Sequence, residues 1–228
     1  MPMPRLDSDG RRKAIVAAAV PLFARKGFAG TTTRELAEAA GISEALLFRH
    51  FPSKVMLYRE ILRLGCEGDP ALERLAQLQP SSATLVCIVR FMVRRFVLGS
   101  EEERAELDPR LRLILHSCLE DGAYARELFA TVAERVVPLF AASIAVAEAA
   151  GEIAPGAGDA ANRFWFAQHV AALMAFAALP KDGCIPYTGD AERVADEAAR
   201  FILRGIGMSE AALAAVDAVG ADAQLAAE

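Results

Sequence analysis

The sequence predicts an all-α protein with a small N-terminal helical domain and a longer helical bundle behind it. Three observations carry that expectation. The composition is rich in Ala and in apolar residues overall (54 % of 228) and light in β-branched ones, which favours helix. Apolar residues recur at helical spacing, and no alternating strand pattern occurs in the first sixty residues. The periodic stretches are separated by short runs of Gly, Pro and Asp.

The stretch "MPMPRLDSDG" reads as a disordered arm over residues 1–10. From Arg11 onward Ile15, Ala18, Ala19, Leu22 and Phe23 form one apolar stripe, and Gly27 closes that helix. Thr33 reads as the N-cap of a short helix "RELAEAA", which Gly41 ends. Ser43 caps a third helix over 44–50. Phe51-Pro52 stops it, because a residue before Pro avoids the α region. Ser53 caps a fourth helix, giving a domain over 11–52 and a connecting helix over 53–64. The body, 65–207, is expected to hold helices near 83–98, 109–119, 122–150, 159–179 and 190–206, with Pro138 kinking or splitting the longest. An Ala-rich tail, 208–228, reads as frayed helix.

Charge divides unevenly. Residues 1–60 hold ten Lys/Arg against six Asp/Glu, a net +4, whereas the whole chain carries -5. A basic head on an acidic body points to a polyanion meeting the head alone. The most apolar stretch, "FWFAQHVAALMAFAALP" (164–180), is shorter than a membrane span and holds Gln168 and His169, so it reads as a core or interface helix. Cys66, Cys87, Cys118 and Cys184 form no C-x-x-C pair and no leader precedes them. That fits a cytoplasmic protein with free thiols and no membrane partner.

Two short helices around a Gly-containing turn, 34–40 and 44–50, make a helix-turn-helix unit. Projection at about 100° per residue puts Glu44, Ala45, Phe48 and Arg49 on one arc, with Leu46 and Leu47 opposite and His50 at the edge. The leucines would bury and the other arc would face DNA. Phe48 would meet a thymine methyl or a sugar, and Arg49 a guanine or a phosphate. His50 and Lys54 suit phosphate, as do Thr32, Thr33, Arg34 and the second helix's N-terminus.

Residues 14–62, "AIVAAAVPLFARKGFAGTTTRELAEAAGISEALLFRHFPSKVMLYREIL", resemble the DNA-binding domain of the TetR (tetracycline-repressor-like) family, with Leu36 where Ile is usual. The resemblance covers about fifty residues; the body diverges. It implies a homodimeric repressor of a palindromic operator in double-stranded DNA, released when a small molecule binds the body. The family's DNA contacts would fall on Thr32, Thr33, Glu44, Ala45, Phe48, Arg49, His50 and Lys54. Two positions depart from the commonest pattern. Phe48 stands where Tyr is frequent, so apolar contact replaces a hydroxyl–phosphate bond. Glu44 stands where a cation or small residue is common. It either accepts from a cytosine amino group or supports the helix dipole, and the second role is the one favoured.

The body shows no catalytic motif, no metal-ligand grouping and no cofactor-binding loop, so no enzyme activity is expected. A largely apolar effector is expected near Phe91, Arg95, His116, Phe129, Trp165 and His169. The dimer is expected through helices 159–179 and 190–206, with the first buried on all sides, so that a charge at Ala171 would yield monomers. The competing readings are a ligand-binding helical protein whose head no longer binds DNA, and an activator with the same head.

Overall fold

The computed structural model describes residues 7–66, 73–75, 77–99, 101–154, 156 and 158–219. These contain α1 (Ser8–Lys26), α2 (Thr33–Ala39), α3 (Glu44–His50), α4 (Lys54–Cys66), α5 (Ser82–Val97) and α6 (Glu101–Leu119). They continue with α7 (Ala123–Arg135), α8 (Val137–Ala149), α9 (Ala160–Ala178), α10 (Ala191–Ile206) and α11 (Glu210–Val219). Among the described residues the only extended pairing is a single bridge between Ile153 and Met208. The all-α expectation holds.

Several boundaries differ from the sequence reading. α1 begins at Ser8, not Arg11, because the Asp7 carboxylate accepts from the Gly10 amide at 2.7 Å and caps the helix. Of the expected disordered arm, residues 1–6 lie outside the described residues. The second cap is Thr32, not Thr33. Glu35 stands three residues after Thr32, and the pair closes a capping box. α6 starts at Glu101, where a break was expected. Its opening run of Glu, Arg, Ala and Leu is strongly helix-forming, and acids suit a helix N-terminus. The 122–150 helix is split at Val136, with Pro138 in the first turn of α8, where a missing N–H costs nothing. Part of the expected tail is helical, as α11; residues 220–228 lie outside the described residues.

The chain forms two compact units. One combines Met1–Gly68 with Arg104–Ala130, and the other combines Asp69–Glu103 with Thr131–Glu228. Residues 104–130 therefore group with the N-terminal helices, whereas the sequence reading kept 65–207 together. The first unit's core joins Ile15, Phe23, Leu36, Leu47, Phe51, Leu57 and Ile61 to Leu113 and Tyr124. Its aromatics interlock. The Tyr58 ring lies 5.0 Å from Phe23, 5.1 Å from Phe28 and 5.2 Å from Tyr124. Gly27 turns the chain out of α1 at φ 70°. That left-handed backbone favours glycine, whereas the nearest atom to a Cβ there is only the movable end of the Glu120 side chain.

In the second unit α5 is central, packed against α8, α9, α10 and α11. Leu85, Val86, Ile88, Val89 and Val93 are all buried. Phe140 of α8 meets Phe164 of α9 edge-on at 5.4 Å. In the single chain α9 is covered on one face only, and Ala171 lies on that covered face, not on the open one where the dimer contact was expected. Ala171 is fully buried in the core, while Phe166 and Leu173 are about two-thirds exposed on the opposite face. A charge at Ala171 would thus attack the core rather than a contact between copies. Among the described residues no single helix is long and apolar enough to cross a membrane.

Candidate nucleic-acid interface

α3 has seven residues, too few to be helical in isolation. Its ends and one face are fixed by neighbours. Ser43 Oγ accepts from the Leu46 amide at 3.2 Å and caps the start. Leu47 and Phe51 are buried in the head core. At the far end Arg12 of α1 donates from Nη1 to the His50 carbonyl at 2.5 Å, satisfying an orphan acceptor of the last turn. The same guanidinium bonds Glu60 of α4 at 3.3 Å and lies 4.3 Å over the Phe51 ring. Arg63 and Arg12 together hold the Glu60 carboxyl below its ordinary range. Arg12 was missed in the sequence reading, because its partners stand 38 and 48 residues away and no local pattern marks it.

The face opposite Leu47 is open. Glu44, Ala45, Phe48 and Arg49 are exposed, Phe48 to 42 %, and Leu46 and His50 are half-buried. Arg49 has no hydrogen bond or ion pair with any described residue. Glu44 is tied across the turn: its Oε2 accepts from Thr33 Oγ1 of α2 at 2.9 Å.

Three residues expected to face phosphate are engaged internally. The Thr32 hydroxyl donates to Glu35 at 2.9 Å and the Thr33 hydroxyl to Glu44, so neither proton is open to an outside acceptor. Lys54 Nζ donates to the carbonyls of Phe28 and Thr31 at 2.7 and 2.9 Å and lies 4.3 Å over the Phe28 ring. It stitches the α1–α2 connection to the start of α4, and only one of its three protons remains. Arg34 is exposed and paired with Glu38 at 2.9 Å along its own helix. Glu35 also forms a short ion pair with Lys26. Lys26 first, then the Thr32 amide and hydroxyl, hold the Glu35 carboxyl at about 2.

Comparison with known proteins now bears on this geometry. Residues 15–61 match the family model "Bacterial regulatory proteins, tetR family". The chain is 43 % identical over 151 residues to the HTH-type transcriptional repressor KstR2 of Rhodococcus jostii (strain RHA1), covering 56 % of this chain and 74 % of that protein. This chain belongs to the tetR family of bacterial regulatory proteins. Solved structures agree on the fold. NalD of Pseudomonas aeruginosa, the secondary repressor of the MexAB-OprM multidrug efflux pump, superposes with a TM-score of 0.65 at 22 % identity. That match covers 88 % of this chain and 98 % of NalD. AibR, solved with isovaleryl coenzyme A and operator DNA, gives 0.62 at 19 % identity over 87 % of this chain and all of AibR. As a tetR-family regulator the chain carries its helix-turn-helix in α2 and α3.

The expected effector residues are divided between the units. Phe91, Arg95, Trp165 and His169 belong to the second, and His116 and Phe129 to the first. Phe91, Trp165, His116 and Phe129 are half-buried, whereas Arg95 and His169 are exposed. Within the second unit the Trp165 and His169 rings lie 6.4 Å apart. Two residues there escaped the sequence reading. Gln168 Oε1 is buried without a partner. Arg163, 6 % exposed, donates from Nη2 to Glu148 at 3.0 Å and to the Gly158 carbonyl at 2.8 Å, with Nε and Nη1 unpartnered. Polarity in an Ala-rich helix was the available signal. Among the described residues no group of three His, Cys, Asp or Glu is placed to hold a metal.

Two outcomes follow. Lys54→Met keeps the stem but leaves two carbonyls short of a charged donor, so it should lower the unfolding free energy by about 1–3 kcal/mol in urea titration. An unchanged midpoint would show that those bonds are replaced by water at no cost. The depressed Glu35 carboxyl stabilises the fold fully above its ordinary value of 4.5 and loses that contribution as pH falls toward about 2. Wild type should therefore exceed Glu35→Gln in melting temperature at pH 7, and the gap should close across that window.

Proposed function

We propose that this regulator is a homodimeric, ligand-responsive repressor acting in the cytoplasm on a palindromic operator in double-stranded DNA. The observation that carries the DNA contact is the open face of α3. An exposed Phe48 beside an unpaired Arg49, on a helix pinned from behind by Leu47, Phe51 and Arg12, suits a major groove. In this reading Ala45 lets the helix approach base edges. Phe48 takes a thymine methyl or a sugar, Arg49 takes guanine, and His50 takes phosphate. Lys54, Thr32 and Thr33 act mainly by shaping the support, and Arg34 contributes a phosphate contact once released from Glu38.

The second unit supports the dimer. Phe166 and Leu173 of α9 and Phe201 of α10 are each about two-thirds exposed, more apolar surface than a solitary helical pair leaves in water. A groove of about 360 Å³ between those helices is lined by Phe166, Val170, Phe201, Ile202 and Arg163. A second copy related by a twofold axis covers such a face with the same face. Two heads of a twofold pair that read successive major grooves, one helical turn or about 34–36 Å apart, require an inverted repeat. The effector reading rests on the half-buried aromatics Phe91 and Trp165 and on the unpartnered Gln168 oxygen. These suit a largely apolar molecule with one hydrogen-bond donor. AibR, a structural neighbour, is solved with an acyl coenzyme A, which is consistent with an effector-binding body of this fold.

Selection from random duplex DNA should return an inverted repeat; recovery of no repeat at moderate salt would overturn the repressor reading. His50→Ala should weaken binding to all sequences and reduce the salt slope by about 1, whereas Arg49→Ala should relax preference at one position per half-site. Leu173→Glu with Phe201→Glu should halve the sedimenting mass while leaving the helical spectrum intact. An unchanged mass would place the interface elsewhere.

A further inference from the structure

Glu44 stands in the first turn of α3, where its charge favours the helix dipole, and its carboxylate is in addition aimed by a bond from outside its own helix. The Ser43 hydroxyl serves the Leu46 amide, and Glu44 reaches across the turn to the Thr33 hydroxyl at 2.9 Å. The bond fixes the carboxylate's direction and occupies Oε2. Oε1 has no hydrogen-bond partner among the described residues, the Arg34 guanidinium lies near enough to feel the charge, and the residue is exposed on the same arc as Ala45, Phe48 and Arg49.

Position decides what this oxygen can meet. Glu44 is the first residue of α3, and the N-terminal residues of a recognition helix are those that reach base edges. A fixed anion facing the phosphate backbone would oppose binding. In the major groove the exocyclic amino groups are the donors, and a carboxylate accepts from cytosine N4. Ala45 beside it offers no bulk to hold the helix away.

We infer that Glu44, aimed by Thr33, accepts a hydrogen bond from the amino group of one cytosine in each half-site and so sets base preference there. This rests on the proposed operator binding. Thr33 is then a positioning residue: it acts through Glu44 and touches no base. The same bond explains why the Thr33 hydroxyl is withheld from phosphate.

The test is selection from random duplex DNA with the full-length wild type, Glu44→Gln and Thr33→Val, followed by titration of each protein against the selected site and its cytosine-substituted variant. Glu44→Gln keeps an acceptor for Thr33 and removes the charge. Wild type should select cytosine at one position per half-site and lose about tenfold in affinity when it is replaced. Glu44→Gln should lose that preference and admit adenine, whose N6 and N7 match an amide. Thr33→Val, with the carboxylate charge retained, should relax the same position and no other. If wild type selects an inverted repeat and both variants select it unchanged, the inference is overturned while operator binding stands. A uniform gain in affinity of Glu44→Gln for every sequence would likewise overturn it, placing the carboxylate beside phosphate. If wild type itself selects nothing, it is the proposed operator binding that has failed.

Discussion

A seven-residue helix cannot hold its own shape, and the first unit is organised around that fact. One Ser cap, two buried apolar side chains and one guanidinium replace the stability that length would have supplied. Arg12 matters most among these, because one side chain joins α1, the end of α3 and α4. The recognition face is therefore presented rigidly. Ordering it at the moment of DNA contact carries little entropic cost.

The same economy explains the charges. A net +4 over residues 1–60 suggests a broadly cationic surface, yet four of its ten Lys/Arg are engaged within the unit. Lys26 pairs with Glu35, Arg34 with Glu38 and Arg12 with Glu60, and Lys54 serves two carbonyls. The cation left open on α3 is Arg49. In the proposed reading recognition draws on a few side chains at fixed places as well as on a diffuse field, with Glu44 supplying an acceptor among them. In the second unit the comparable division is between the buried arc of α9, where Ala171 and Phe164 pack, and the open arc of Phe166 and Leu173.

The sequence revealed the head more fully than the body, for physical reasons. Local signals determine the head. Ser43, Gly27, Gly41 and Phe51-Pro52 mark ends through capping and backbone sterics, and the α3 periodicity separated Leu47 from Phe48 correctly. Long-range bonds were invisible. Arg12 to His50, Lys54 to Phe28 and the second unit's Arg163 to Glu148 leave no periodic trace, so Lys54 read as a phosphate ligand. α9 misled because Ala is compatible with either a core or an interface. Its apolar character on all sides hid which arc, that of Ala171 or that of Leu173, meets the chain's own core. The grouping of residues 104–130 with the N-terminal helices was equally hidden, since it depends on Leu113 and Tyr124 packing with residues far away in sequence.

The central claim is that two copies present α3 to successive major grooves of one duplex. Hydroxyl-radical and methylation footprinting of the wild-type protein on its selected duplex tests this most directly. The account predicts two protected major-groove segments centred about one helical turn, 34–36 Å, apart and related by a twofold axis, with guanine N7 shielded in each. A single protected segment, or protection spread evenly along the duplex without shielded guanines, would contradict it.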